Sequence, residues 1–395
     1  MSEAFVTEAP SGRRRAARPA APAVIGQRRE VPFFNYPALF AEHRDEYLAT
    51  ITEVLERGAY IMQRDLTAFE EELAAYLGVR HAVGVADGTI ALKIALKLSG
   101  VGPGYEVILP SHTFIATAAA VHDVGAEPVL CDCGPDSMMD VDSARALVTK
   151  NTCAIMPVQL NGRTCDMAAV QALADEFGLK IVEDSCQAMG AKFRGRFAGT
   201  FGAAGAFSFY PAKTLGCFGD GGGLILDDDD LAAKARELRD HGRGADGLVH
   251  RFGVNGRLDN LQAAVLRLKL ARYDESIARR RAIARVYDER LSGLDGLQLP
   301  PGPDADPDRF DIFQNYEVQS DRRDALRAFL ADRGVGTIVQ WGGSMIHQFT
   351  DLGLRARAPY AEAMSRRYLM LPMHPMLSDD DVAYVCDQVE AFHHG

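Results

Sequence analysis

Residues 81–98 read HAVGVADGTIALKIALKL, a short apolar run followed by a turn and a longer amphipathic segment. The pattern returns three times: EVILP (106–110) precedes TFIATAAAVHDV (113–124), EPVLCD (127–132) precedes a helical segment near 141–147, and CAIMPVQL (153–160) precedes DMAAVQALADEFG (166–178). The run KIVED (180–184) closes the series. This alternation predicts an α/β fold with a mostly parallel sheet and helices on both faces. Ligands bind at the carboxyl ends of the strands in such sheets.

The pattern changes after residue 200. AGAFSFYPAK (204–213) and GGGLILDD (221–228) have strand character with no helix between them, which predicts an antiparallel element in the sheet. One long helix is expected over about 258–292. A strand in FQNYEVQ, a helix in RRDALRAFLADRG and a strand in GTIVQW predict a small α+β domain. Ser378 is expected to cap the last helix.

Length and composition set the broad class of the protein. A chain of 395 residues is too long for one compact core, so we expect a disordered Ala-, Pro- and Arg-rich extension at 1–30, a large domain at 31–255, and a linking helix with the small domain at 256–395. The net charge of −11 argues against nucleic acid or an anionic membrane as the main partner. Seven scattered cysteines, without metal-ligand spacing, predict reduced thiols in a cytoplasmic protein and no metal site.

Lys213 is the candidate reactive residue. It follows a strand and precedes the glycine-rich loop TLGCFGDGGG, where backbone must approach another group closely. A lysine kept partly deprotonated there can form a Schiff base with a carbonyl cofactor. Asp184 ends the strand KIVED, where a carboxylate can hold the proton on a pyridine nitrogen or, alternatively, cap a helix. Gln187 can bond the hydroxyl of the same ring.

A phosphate site is predicted beside these residues. Gly88 and Thr89 open a helix, whose free N–H groups and dipole attract a phosphate, although Thr89 can equally be a simple cap. Ser208 can add a hydroxyl, and the Phe114 ring can stack on a flat cofactor or fill a core. Neither G-x-x-x-x-G-K-[ST] nor a G-x-G-x-x-G in a strand–helix unit is present, so nucleotide fingerprints are excluded.

Several longer stretches carry a resemblance to a known family. They include GAYIMQRDLTAFEEELAAYLGV (58–79), GVADGTIALKIAL (84–96), IVEDSCQAMGA (181–191), GAFSFYPAKTLGCFGDGGGL (205–224), GVNGRLDNLQAAVLRLKL (253–270) and LMLPMHPMLSDDDVAYV (369–385). From about residue 31 onward the chain resembles the DegT/DnrJ/EryC1/StrS family of pyridoxal 5′-phosphate (PLP) dependent, fold-type I sugar aminotransferases. The lysine stretch, with its upstream serine and downstream glycines, is the most specific part.

The resemblance implies a role for each matching position. Lys213 matches the Schiff-base lysine and proton shuttle, Asp184 the partner of the pyridine nitrogen and Gln187 the partner of the ring hydroxyl. The phosphate cradle is matched by Gly88, Thr89 and Ser208, and the stacking ring by Phe114. Asn255 matches an asparagine that reaches the cofactor phosphate of a second subunit, which implies a homodimer with shared active sites.

Two regions depart from the family pattern. The chain reads Gln159-Leu160-Asn161-Gly162 where the family often has His-Leu-Tyr-Gly, and Gln340-Trp341-Gly342 where it often has His-Tyr-Pro. Both regions border the substrate side of the cleft in the family. Gln159 and Gln340 of these regions, together with His347 a few residues further along, are the candidates for substrate contact.

The implied reaction moves an amino group from an amino acid, L-glutamate, to a keto-sugar carried on a nucleotide diphosphate. Lys213 argues against relatives that have a histidine there and act as dehydratases. Two alternatives stay open: an aminotransferase for a non-nucleotide ketone such as a cyclitol, and a non-catalytic PLP-binding regulatory protein.

Overall fold

A computed structural model describes residues 29–395. The expected extension at 1–30 therefore lies almost entirely outside the described residues. The strands are β1 (His81–Val85), β2 (Glu106–Pro110), β3 (Glu127–Cys131), β4 (Thr152–Ile155), β5 (Lys180–Asp184), β6 (Lys192–Phe193), β7 (Arg196–Phe197), β8 (Ala204–Ser208), β9 (Gly222–Leu226), β10 (Leu297–Gln298), β11 (Arg309–Phe310), β12 (Tyr316–Ser320) and β13 (Tyr368–Leu371). The helices are α1 (Tyr36–Glu42), α2 (Arg44–Glu56), α3 (Arg64–Leu77), α4 (Gly88–Leu98), α5 (Ile115–Asp123), α6 (Val141–Arg145), α7 (Met167–Phe177), α8 (Asp229–Arg239), α9 (Asn260–Leu270), α10 (Tyr273–Leu291), α11 (Arg323–Asp332), α12 (Pro359–Ser365) and α13 (Asp379–His394).

In the described part of the chain the central sheet has seven strands, in the order β1-β9-β8-β5-β4-β2-β3. Strand β9 runs antiparallel to both of its neighbours, while each of the other strand pairs is parallel. The predicted α/β class, with its mostly parallel mixed sheet, is therefore confirmed. The antiparallel element predicted from residues 204–228 is strand β9.

Helices cover both faces of the sheet because side chains alternate along each strand. On β2, Val107 and Leu109 enter a core formed with α4, α5 and α8, whereas Ile108 between them enters a core formed with α6 and α7. On β9, Leu224 joins the first core and Ile225 packs under α3 and α9. Both faces are thus buried, as the continuous apolar runs predict.

The C-terminal part of the chain has its own core. The sheet β10-β12-β13 packs with α10, α11 and α13 through buried residues such as Tyr287, Val318, Leu326 and Leu369. Helix α13 begins as predicted, since the Ser378 hydroxyl accepts the N–H of Asp381 at 3.1 Å. The domain boundary at residue 255 stays a prediction. The described helices include none whose length and hydropathy would let it traverse a bilayer.

Two predictions of regular structure were wrong. The expected helix over 258–292 is divided into α9 and α10, because the chain bends at Ala271 and Arg272. This lets α9 pack beneath the large sheet while later residues of α10 enter the C-terminal core. The expected strand GTIVQW pairs only at Ile338, opposite Met370. It cannot continue because Trp341 and the two glycines after it have positive φ, which extended strands do not allow.

Candidate active site

A cavity of about 600 Å³ opens at the carboxyl ends of the parallel strands. Its floor is formed where β1, β2, β5 and β8 end, since parallel strands deliver these ends to one edge of the sheet. The cavity brings together eight of the residues predicted from the sequence: Gly88, Thr89, Phe114, Asp184, Gln187, Ser208, Lys213 and Gln340. Within residues 29–395, no group of three or more His, Cys, Asp or Glu residues is arranged to hold a metal.

Lys213 lies in the irregular loop between β8 and β9. Its backbone N–H donates to the carbonyl of Tyr210 at 2.8 Å. Burial lowers the pKa of the Lys213 amine, while Cys186 and Asp184 oppose part of that shift. A larger fraction of the amine is therefore neutral, and only the neutral amine can attack a carbonyl carbon.

Asp184, the last residue of β5, presents a carboxylate that is held in place. One oxygen accepts the hydroxyl of Thr117 at 2.7 Å, and the other accepts the N–H of Cys186 at 3.2 Å. Thr117 in turn bonds the Thr113 hydroxyl at 2.7 Å. Asp184 is 5% exposed, so its charge can act on a ligand through little intervening water. Sequence reasoning missed Thr117 because 67 residues separate it from Asp184.

The predicted phosphate cradle is compact. Asp87 caps α4 by accepting the N–H of Ile90 at 2.8 Å, so the N–H groups of Gly88 and Thr89 are the first two of the helix. A Cβ on Gly88 would lie 2.7 Å from Sγ of Cys186 and 3.0 Å from Cβ of Ser208. Glycine is therefore required for the helix N-terminus to approach Ser208 this closely, and an anion there would meet backbone donors and a hydroxyl together.

Gln187 is oriented by its neighbours. Its Oε1 accepts the backbone N–H of Asn161 at 3.0 Å and a longer bond from Nδ2 of Asn315 at 3.4 Å. Since the carbonyl side of the amide is engaged, the amino side is the one available to an oxygen of a ligand. Asn161 Oδ1 also accepts from Asn315 Nδ2 at 2.8 Å, which links the three side chains.

The wall opposite the sheet edge contains Gln340 and Trp341, and Phe114 of the sheet edge lies beside them. Phe114 is half-exposed, and its ring lies 6.1 Å from the Trp341 ring. Trp341 has φ 51°, which is rare for a residue other than glycine. The Gln340 carbonyl accepts the Tyr368 hydroxyl at 2.5 Å, but Oε1 of its side chain is buried and has no hydrogen-bond partner among residues 29–395. Such an atom is costly unless a ligand or water donates to it.

Three candidates lie outside the cavity. Gln159 was expected on the substrate side but is fully buried, with Nε2 donating to Glu183 at 2.8 Å and Oε1 accepting the N–H of Cys165 at 2.7 Å. The cause is the alternation of side chains along the extended segment after β4, because its neighbours Val158 and Leu160 are the residues that line the cavity. His347 is likewise buried, where its Nδ1 bonds the Ser111 hydroxyl at the end of β2.

Asn255 is exposed on the surface. It pairs with Asp240 through a single β-bridge and does not line the cavity of its own chain. Its predicted contact with a second subunit remains a prediction.

Comparisons with known proteins agree on one family. The model of the DegT/DnrJ/EryC1/StrS aminotransferase family matches residues 41–390. The chain is 42% identical over 365 residues to dTDP-3-amino-3,4,6-trideoxy-alpha-D-glucose transaminase of Streptomyces venezuelae, covering 91% of this chain and 95% of the relative. The structure of S. venezuelae DesV in complex with a ketimine intermediate has a TM-score of 0.89 at 41% identity, covering 93% of this chain and 99% of DesV. NtdA of Bacillus subtilis, solved with bound cofactor PMP, has a TM-score of 0.85 at 27% identity, covering 93% of this chain and 86% of NtdA.

Proposed function

This chain belongs to the DegT/DnrJ/EryC1/StrS aminotransferase family, and from that premise we propose that it transfers an amino group from L-glutamate to a keto-sugar carried on a nucleotide diphosphate. The proposed cofactor is PLP. The observation that carries the proposal is the convergence of Lys213, Asp184 and the Gly88–Ser208 cradle on one cavity. The similar transaminase of S. venezuelae supports a nucleotide-linked sugar as the acceptor.

The residues of the cavity fit PLP. Gly88, Thr89 and Ser208 offer donors to its phosphate, and the absence of a Cβ at Gly88 lets the helix N-terminus lie close to Ser208, so that the donors converge. Asp184 would hold a proton on the pyridine nitrogen, while the amino side of Gln187 would donate to the ring hydroxyl. Phe114, half-exposed at the cavity, offers a face for stacking.

The chemistry divides between cofactor and protein. PLP, when bound, supplies a ring that withdraws electrons from the carbon losing its proton. Asp184 would keep that ring nitrogen protonated, and Thr117 holds the carboxylate in position. Lys213 Nζ, with its pKa lowered by burial, removes the proton from the α carbon of the amino donor. In the second half-reaction the same amine moves a proton to the carbon of the sugar that receives the amino group.

We assign the substrate side to Gln340 and Trp341. The unpartnered Oε1 of Gln340 would accept a hydrogen bond from a sugar hydroxyl, which satisfies a buried acceptor. The Trp341 ring, between Phe114 and His112, offers an apolar face to the C–H groups of a sugar ring.

We further propose a cytoplasmic homodimer in which Asn255 completes the phosphate site of the second subunit. The loop before Asn255 exposes apolar side chains: Leu248 is 64%, Val249 64% and Phe252 99% exposed. Exposed apolar groups of this kind favour an interface with another surface. Seven free thiols support the reducing compartment.

An absorption spectrum of the purified protein, before and after excess L-glutamate, tests the proposal. We expect a band from PLP attached to Lys213, which glutamate converts to the pyridoxamine form. Incubation with nucleotide keto-sugars and, separately, with cyclitol ketones should then yield an amino product from the former alone. No band after addition of PLP would refute the cofactor. An absorption band that does not change on addition of glutamate or any other amino donor would favour the regulatory alternative.

A further inference from the structure

The side chain of Gln314 bridges the backbone on both sides of Lys213. Its Oε1 accepts the N–H of Thr214 at 2.7 Å, and its Nε2 donates to the carbonyl of Ala212 at 2.7 Å. Gln314 is 5% exposed, so water competes little for either bond. One amide therefore holds the two peptide groups that flank the reactive lysine.

Gln314 is itself firmly anchored. It lies two residues before β12, and NH1 of the buried Arg280 donates to its carbonyl at 3.1 Å. The same guanidinium donates to the carbonyls of Phe313 at 3.2 Å and Met373 at 2.8 Å. The Gln314 side chain, which bonds the lysine loop, is thus attached to the C-terminal sheet and to α10.

The next residue, Asn315, extends the connection to the other side of the cavity. Its Nδ2 bonds Asn161 at 2.8 Å and Gln187 at 3.4 Å. Two consecutive side chains just before β12 therefore contact the lysine loop and the proposed partner of the ring hydroxyl. A displacement of the C-terminal sheet would shift both contacts together.

We propose that Gln314 is a positioning residue that holds Lys213 at the distance needed for attachment to the cofactor and for proton transfer. The inference rests on the proposed function. The loop around Lys213 has no regular structure, and the lysine side chain is long and flexible. Two bonds at its flanking peptides fix the Cα from which that side chain extends, and an error of about 1 Å can cost on the order of a hundredfold in rate.

The test measures how fast PLP becomes attached to Lys213. Cofactor-free protein is mixed with PLP, the absorbance of the attached form is followed in time, and attachment is verified by borohydride reduction and mass spectrometry. Gln314→Ala should slow attachment by about tenfold or more, because the lysine loses both flanking bonds. Gln314→Glu, which keeps the volume but sets an oxygen against the Ala212 carbonyl, should also slow it and serves if the alanine variant does not fold.

Gln319→Ala is the matched control. Gln319 lies on β12 and is as buried as Gln314, but its Nε2 bonds Tyr360 at 3.4 Å. We expect the rate of PLP attachment to stay within about twofold of that of the unsubstituted protein, since the lysine loop keeps both bonds from Gln314. Unchanged attachment in both Gln314 variants, or equal slowing in the control, would overturn the inference. Failure of the unsubstituted protein to attach PLP would instead overturn the proposed function, and this inference with it.

Discussion

The two walls of the cavity are built in different ways. The wall that would hold the cofactor is the edge of the central sheet, where Gly88, Asp184 and Ser208 lie at strand ends or at the start of a helix. The facing wall comes from irregular segments of the C-terminal part, with Asn315, Gln340 and Trp341. The first wall has no room for an added Cβ at Gly88, whereas the second leaves Oε1 of Gln340 without a partner.

This difference indicates that the two walls have different roles in binding. Strand ends are fixed by many ladder hydrogen bonds, so they can hold a constant group such as a phosphorylated ring. Segments with positive φ and unsatisfied polar atoms cost stability, and such features cluster where a ligand is bound. Trp341 at φ 51° is one of these. We therefore expect variants of the sheet edge to change cofactor binding, and variants of the facing wall to change substrate use.

The largest effect should follow from Lys213→Ala. Loss of the attaching and proton-moving amine should reduce turnover by on the order of 10⁴-fold, measured as amino sugar formed per minute. The control is Lys269→Ala, which removes another partly buried lysine whose amine, with its pKa lowered to about 8 by burial, donates to the Gly216 carbonyl at 2.5 Å. Retained turnover in Lys213→Ala would contradict its assignment.

A smaller effect is expected from Gly88→Ala. The new Cβ would lie 2.7 Å from Cys186 Sγ and 3.0 Å from Ser208 Cβ, so the cradle must widen. We expect PLP affinity to fall by about tenfold and stability by about 1–3 kcal/mol, as for other overpacked sites. In Gly102→Ala the nearest atom to the new Cβ would be 3.8 Å away. We expect this control to change neither the PLP affinity, measured by titration, nor the stability, measured by thermal unfolding. Normal PLP affinity in Gly88→Ala would show that the phosphate is held elsewhere.

The smallest effect should be confined to substrate. Trp341→Gly removes the ring while allowing the backbone to keep φ 51°. Losing about 50 Å² of apolar contact at ~25 cal/mol per Å² corresponds to about an eightfold rise in KM for the keto-sugar. PLP affinity should stay within about twofold, since the other wall is untouched.

Met62→Gly provides the control for backbone effects in that experiment. Met62 has φ 49°, close to that of Trp341, but does not line the cavity. The KM of Met62→Gly for the keto-sugar should equal that of the unsubstituted protein. A change in PLP affinity without a change in KM for Trp341→Gly would reverse the proposed assignment of the two walls.

The successes and failures of sequence reasoning have a common cause. Short apolar runs and helix starts depend on neighbours in the chain, so β5 with Asp184 and α4 with Gly88 were placed correctly. The direction of Gln159 depends on how the end of one strand aligns with Asp184 of the next, and the pattern alone did not reveal it. The bend at Ala271 likewise depends on distant residues, because α9 packs in one core while later residues of α10 pack in another.

The sequence by itself determined the α/β class, the family and the lysine loop, because periodicity and motif spacing are properties of adjacent residues. Only the tertiary structure decided which side chains support them. Thr117 meets Asp184 across 67 residues, and Gln314 meets Ala212 across 102. Such contacts arise when elements distant in the chain pack against one another, so they depend on the sum of many distant interactions and leave no local pattern in the chain.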